Sequence, residues 1–252
     1  MVADLEVDAL RRGGDDGGDD LAGGVWQRAG FSNSGASRQD RGVARYAGDA
    51  SGASIFWQTF DYAPATTLPG VFLEPIATRA DAVEAIYSLP NGLPGYFIAD
   101  GSGRRISESP FVLDPARSGA PRVMSSCGSC HNAGLIRFDD SVRAFVEANL
   151  DGSFAPEQVE AVRTSYPPPD IMQAQVEEDS ARLTRALVQA GQPERSPDPV
   201  SRVALDYELV ANLDVVATEL YLSPDELDLG ELPAPLRAIA TGDGLSRATV
   251  EA

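Results

Sequence analysis

Histidine is almost missing from this sequence: 252 residues hold one, His131, with two cysteines, Cys127 and Cys130, and three methionines. A single imidazole excludes any site that needs two from the same chain. No Ser-His-Asp triad, Walker loop or dinucleotide-binding glycine pattern can be assembled. Long apolar runs are absent too, so no segment reads as a membrane-spanning helix. The first residues, MVADLEVDALRRGG, lack the apolar stretch of a signal peptide. Basic residues are scarce, 20 Lys and Arg against 38 Asp and Glu, for a net charge of -18. Such a surface repels nucleic acid and anionic lipid. It favours partners with basic patches through steering that salt weakens, and it serves solubility equally well.

What is present is the balance of a globular chain, 43% apolar and 23% charged. Residues 1–24 include RRGGDDGGDDLAGG and read as an acidic mobile arm. The spacing of Asp15, Asp16, Asp19 and Asp20 fits neither an EF-hand nor a nonapeptide calcium loop. Residues 25–120 read as extended and β-rich. Ile55 to Phe60 forms an aromatic, β-branched run, and Tyr96 to Ile106 is a hairpin around Asp100-Gly101-Ser102-Gly103. Within this part Ala82, Val83 and Ile86 have helical spacing.

Residues 121–222 read as helical. Asp139 or Asp140 can cap a helix with Val142, Phe145 and Val146 on one face, and Pro156 opens another. A longer helix has Asp170 as cap, Gln173 at the capping-box position, an apolar line through Met172, Val176, Leu183 and Leu187, and Gly191 as its stop. A fourth carries Leu205, Leu209, Leu213, Val216 and Leu220. Residues 223–252 open on the capping box Ser223 to Glu226 and end loosely. The fold expected is α+β, an extended β-rich part packed on a mainly helical one.

Both cysteines and the sole histidine fall in Cys127-Gly128-Ser129-Cys130-His131. Chance would put the one histidine directly after the second cysteine in about 1 chain in 252, so the adjacency asks for a chemical cause. Covalent haem attachment supplies one: two thiols at a two-residue spacing add to two vinyl groups, and the following imidazole reaches the iron. Two other chemistries use the same residues. A dithiol redox pair would sit in a βαβ context that is not apparent here, and zinc would have to recruit Asp139 or Asp140 to complete four ligands.

CGSCH with helices after it resembles the monohaem c-type cytochromes. Ser34 to Arg38, Trp57-Gln58-Thr59-Phe60-Asp61 and Ser88-Leu89-Pro90-Asn91-Gly92-Leu93-Pro94-Gly95-Tyr96-Phe97 are similar to a little-characterised group of secreted bacterial proteins that carry one such haem. The resemblance implies thioether attachment at Cys127 and Cys130, His131 as proximal ligand, a cytochrome c-like haem part, and a periplasmic or extracellular location. The motif stands mid-chain behind a large extended region, unlike the common small cytochromes c.

With His131 used, the sixth iron position falls to methionine, a weaker ligand or nothing. Met1 is terminal and Met124 lies on the proximal side of the motif. Met172, behind Tyr166-Pro167-Pro168-Pro169, is therefore the expected ligand, or else simply the start of an apolar helix face. His/Met ligation suits a single-electron carrier with a basic redox partner. An open site suits a five-coordinate haem enzyme or a gas or peroxide sensor; a haem-stapled interaction module is the third reading. Electron carriage is simpler than catalysis, since no distal acid-base group can be named. Arg28, Arg38, Arg41 and Arg45 form the densest basic cluster and could meet haem propionates. Trp26, Trp57 and Tyr96 could pack on the macrocycle.

Overall fold

The computed structural model describes residues 25–32, 37, 39–47, 55–64, 66–76, 79–109, 112, 122–193, 198–208, 210–228 and 230, with scattered positions from 234 to 246. The acidic arm, Arg38 and the stretch 33–36 lie outside them. By contacts the chain divides into two compact units, residues 1–198 and 199–252.

In the first unit five strands, β1 (Val25–Phe31), β2 (Arg41–Ala47), β3 (Phe56–Asp61), β4 (Ala82–Ser88) and β5 (Pro94–Asp100), make one antiparallel sheet in chain order. Residues 82–88, which have helical spacing, are strand. Val83 and Ile86, three apart, share one face of a helix but opposite faces of a strand. Both sheet faces are covered here, Val83 packing against the cluster with Phe60 and Ile86 against the cluster with Trp57, so strand pairing with β3 and β5 buries both. The hairpin after β5 is as expected: Asp100 N–H donates to the Arg104 carbonyl and Gly103 takes φ 78. Most antiparallel sheets bury one face and alternate apolar with polar. Here β3 and β5 bury residues on both faces; β5 is accordingly apolar from Tyr96 to Ala99, while β3 buries the polar Gln58 and Asp61 beside Trp57 and Phe60.

Helices follow the sheet: α1 (Ser125–Cys130), α2 (Val142–Ala148), α3 (Pro156–Ser165) and α4 (Pro169–Gln189). Asp140 caps α2, accepting from the Val142 and Arg143 amides and, across the fold, from Gly30 N–H. The capping box expected at Asp170 is not formed. The cap is Pro168 rather than Asp170, so the helix starts two residues earlier, on Pro169, whose fixed φ suits a first turn, and the Gln173 side chain instead donates to the Phe138 carbonyl.

One sheet face is closed by α2 and α3. Val142, Val146, Val159, Val162 and Tyr166 pack on Ala44, Phe60 and Tyr62. The other is closed by α4, through Met172, Val176 and Leu183 on Ala29, Val43, Ile55 and Trp57. Each such buried aliphatic side chain contributes roughly 1.5–3 kcal/mol. This second face also carries charge. Asp179 of α4, fully buried, accepts from Arg45 Nε at 2.8 Å and from Trp57 Nε1 at 2.9 Å. Beside it Arg41 binds Asp61 at 2.6 Å and Glu84 at 2.9 Å.

In the second unit the long helix expected through Leu205 and Leu220 is two: α5 (Pro199–Glu208) and α6 (Leu213–Glu219). Ala211 breaks the run by pairing with Leu245, and Asn212 caps α6 by accepting from Val215 N–H. Ser223 and Glu226 are hydrogen-bonded as in a capping box, but residues 224–226 form a turn.

Candidate functional site

The chain enters the cysteine motif through a strained bend. Met124 has φ 71 and ψ -61, and Ser125 N–H donates to the Val123 carbonyl. This is a γ-turn centred at positive φ, the rarer form, costing about 1–3 kcal/mol in a non-glycine residue. The segment is tied down on both sides of the bend. Val123 N–H donates to Ser107, Arg122 pairs with Glu108 at 2.9 Å, and Ser126 Oγ accepts from Arg122 N–H.

The six residues of α1 then put Cys127 and Cys130 one turn apart, on the same side of the helix. Both are free thiols, Cys127 partly covered and Cys130 exposed. Burial pushes the Cys127 thiol up to about 12, helped by the charge of Glu84, so it is protonated at neutral pH. A nucleophilic redox cysteine needs the opposite shift. Between them Gly128 faces Asp198: a Cβ there would stand 2.8 Å from Asp198 Oδ2.

His131 ends the helix, its amide donating to the Cys127 carbonyl. Nδ1 lies 3.1 Å from the Gly134 carbonyl oxygen, which can only accept, so Nδ1 carries the proton. Nε2 is thereby left with its lone pair and makes no hydrogen bond among the described residues. Burial, with a smaller push from the Arg41 charge, lowers the imidazole pKa to about 4 against the opposing Gly134 bond, so the ring is neutral at pH 7. That is the protonation state in which imidazole binds metal.

The turn after His131 is held by α4. Gly134 takes φ 100 and abuts Ser180 so closely that a Cβ would stand 2.7 Å from the serine Cβ. Ser180 Oγ accepts from Leu135 N–H at 2.9 Å. Tyr96 of β5 covers the ring from the sheet side, with centroids 6.2 Å apart, and its buried hydroxyl is pushed above its ordinary pKa by burial and by neighbouring Cys127 and Asp198. Glu84, in the charge cluster nearby, is also held above the usual carboxylate range, by burial first and then by Asp61, against the pull of Arg41.

Of the residues singled out in the sequence, Cys127, Cys130, His131 and Tyr96 come together. Met172 belongs to the apolar face of α4, packed with Val176 and Trp57. It stands eight residues before Ser180, about 12 Å along the helix axis from the point where α4 holds the histidine turn. Met124 is the exposed centre of the γ-turn. The basic cluster is largely committed elsewhere: Arg41 to Asp61 and Glu84, Arg45 to Asp179, and Arg28 over the Phe60 ring on the other sheet face. Trp57 is likewise spent on Asp179, and Trp26 meets Tyr46 at a tilt and Phe56 edge to face.

Asp140 is used as a helix cap, and among the described residues no group of three or more His, Cys, Asp or Glu converges on one point. Gly134, Ser180 and Asp198 escaped the sequence reading, because their part in the site is a long-range contact with no local signal. Two thiols one turn apart, followed by a neutral imidazole whose free nitrogen is fixed by a backbone carbonyl, fit a covalently tethered haem. Comparison with family models, with curated proteins and with solved structures finds no match.

Proposed function

We propose that this chain holds one c-type haem on Cys127 and Cys130 with His131 as an axial ligand, and that it carries single electrons outside the cytoplasm to a partner with a basic patch. The observation that carries the reading is the Nδ1–H bond from His131 to Gly134, which reserves Nε2 for iron in the residue directly after a C-x-x-C helix. Each thiol adds its S–H across one vinyl group, sulfur to the inner carbon and hydrogen to the outer, and nothing leaves. Bound iron porphyrin supplies a one-electron couple. The chain's own residues orient the imidazole through Gly134 and Ser180, and exclude water with Tyr96. The net charge of -18 supplies long-range attraction to a basic partner.

Intact mass of the exported protein tests the attachment. The expected value is polypeptide plus one haem; bare polypeptide with free or mutually oxidised thiols sinks the reading. Location is tested by recovery of the haem-loaded protein in the periplasmic or secreted fraction; recovery of it in the cytoplasmic fraction alone counts against that part of the reading.

A second reading concerns the sixth position. Met172 as distal ligand requires a thioether that is 2% exposed in the apolar core to reach iron. That burial favours an open or weakly filled site, and with it small-ligand binding. Carbon monoxide added to the ferrous protein decides: no spectral change, with a Met-to-iron charge-transfer band lost in Met172→Ala, supports the closed carrier. Immediate binding supports the sensor or enzyme.

A further inference from the structure

Beside the histidine turn, one flank of α4 and Ala133 enclose an open groove of about 460 Å³. Ser180, Thr184 and Val188 follow one another at helical i, i+4 spacing, and Ala181 and Arg185 form the adjacent row. The near wall is built from small side chains, so a flat body can approach the helix closely. Val188, 46% exposed, offers it an apolar contact, while Thr184 and Arg185 are polar. Ala133 lies two residues beyond His131, within the turn that Ser180 fastens, so whatever the cysteines tether starts next to this groove.

The cation is the informative part. Most arginines of the first unit are paired, Arg41 with Asp61 and Glu84, Arg45 with Asp179, Arg137 with Glu177 and Arg182 with Glu178. The side chains of Arg79, Arg105, Arg163 and Arg185 are not, among the described residues, and of these four only Arg185 lines the groove. Arg185, at the groove, makes no ion pair or hydrogen bond among the described residues. A guanidinium matches a carboxylate in a two-point fork.

We infer that the groove along α4 seats the propionate-bearing edge of the macrocycle and that Arg185 is the cation that anchors it. This rests on the haem reading above and replaces Arg41 and Arg45 as the propionate partners. It makes the last two turns of α4 part of the cofactor site.

The test uses exported holo-protein and three variants: Arg185→Gln, Arg185→Lys, and Arg163→Gln on α3, which removes the same charge from the helix layer on the opposite sheet face. Taking a cation from beside the haem favours the ferric form. Arg185→Gln is therefore expected to lower the midpoint potential and shift the propionate bending band in the resonance Raman spectrum. Arg185→Lys should recover the potential while leaving the band displaced, since an ammonium lacks the fork. Arg163→Gln should change neither.

Haem-loaded Arg185→Gln with the wild-type potential and band overturns the inference, and so does an equal shift in Arg163→Gln. If Arg185→Gln does not accumulate, the Arg185→Lys band decides, an unshifted band counting against the fork. Wild-type protein without haem overturns the parent reading itself, a separate and earlier outcome.

Discussion

The two faces of the sheet are built on different principles. On the α2–α3 face, four valines and Tyr166 meet Ala44, Phe60 and Tyr62, and the packing is apolar apart from the Tyr166 hydroxyl, which donates to the Pro75 carbonyl. The α4 face has its own apolar cluster but threads buried charge through it, Arg45–Asp179–Trp57 and Arg41–Asp61–Glu84, and the cysteine motif sits on that side. Apolar packing tolerates small shifts in register; a fully buried carboxylate with two fixed donors does not. The difference suggests what the charges are for. They add little net stability over hydrocarbon of the same volume. Arg41–Asp61–Glu84 ties three strands together, while Arg45–Asp179–Trp57 pins α4 to one position on the sheet, and α4 is what holds the histidine turn.

The largest effect should come from removing the pin. Asp179→Ala strands the Arg45 guanidinium and the Trp57 N–H in the interior, and a loss of about 3–5 kcal/mol in urea unfolding is expected. A loss below about 1 kcal/mol would show that water or a neighbour takes over, and the contrast between the faces would fail.

Next comes pH. His131 titrates near 4 in the folded chain and at its ordinary 6.5 when unfolded, so between those values the unfolded state binds more protons. Stability should fall as pH drops from about 6.5 to 4, by at most about 3 kcal/mol, and this contribution should be flat below 4. The haem-free Cys127→Ser/Cys130→Ser protein is the place to see it, and the extra slope should vanish when His131→Gln is added.

Gly134→Ala places a methyl group against Ser180 at positive φ and should cost up to about 3 kcal/mol. Unlike a core mutation, it should also reduce haem content. Val162→Ala, on the apolar face, should cost about 2 kcal/mol and leave haem content unchanged. Parallel loss of haem in both variants would erase the division between faces. The smallest effect runs the other way: Met124→Gly relieves the γ-turn and should raise stability by about 0.5–1 kcal/mol in thermal unfolding.

Local chemistry was legible in the sequence, and distance was not. The hairpin after Tyr96, the Asp140 cap, Pro156 at a first turn and Gly191 past the end of α4 each depend on neighbours within a few residues. Ala82, Val83 and Ile86 have helical spacing, and only a sheet covered on both faces, with partners from β3 and β5, makes residues 82–88 a strand. The break between α5 and α6 comes from Leu245, more than thirty residues further on, which no helical periodicity registers. At the site, Cys127, Cys130 and His131 are contiguous and announced themselves. Gly134 and Ser180 are joined by a contact across 46 positions, and Arg185 earns its interest only once its lack of a carboxylate partner is seen.

The Arg45–Asp179 bond spans 134 positions, whereas the sheet pairs each strand with the next along the chain. Short-range pairing of this kind closes quickly, and the long closure comes last. A chain emerging amino end first can therefore complete the meander while residues 169–189 are still undocked. For that interval the turn after His131 lacks the Ser180 contact that later fastens it. The docking of α4 then fixes the orientation of the imidazole last, after the strands around it are in place.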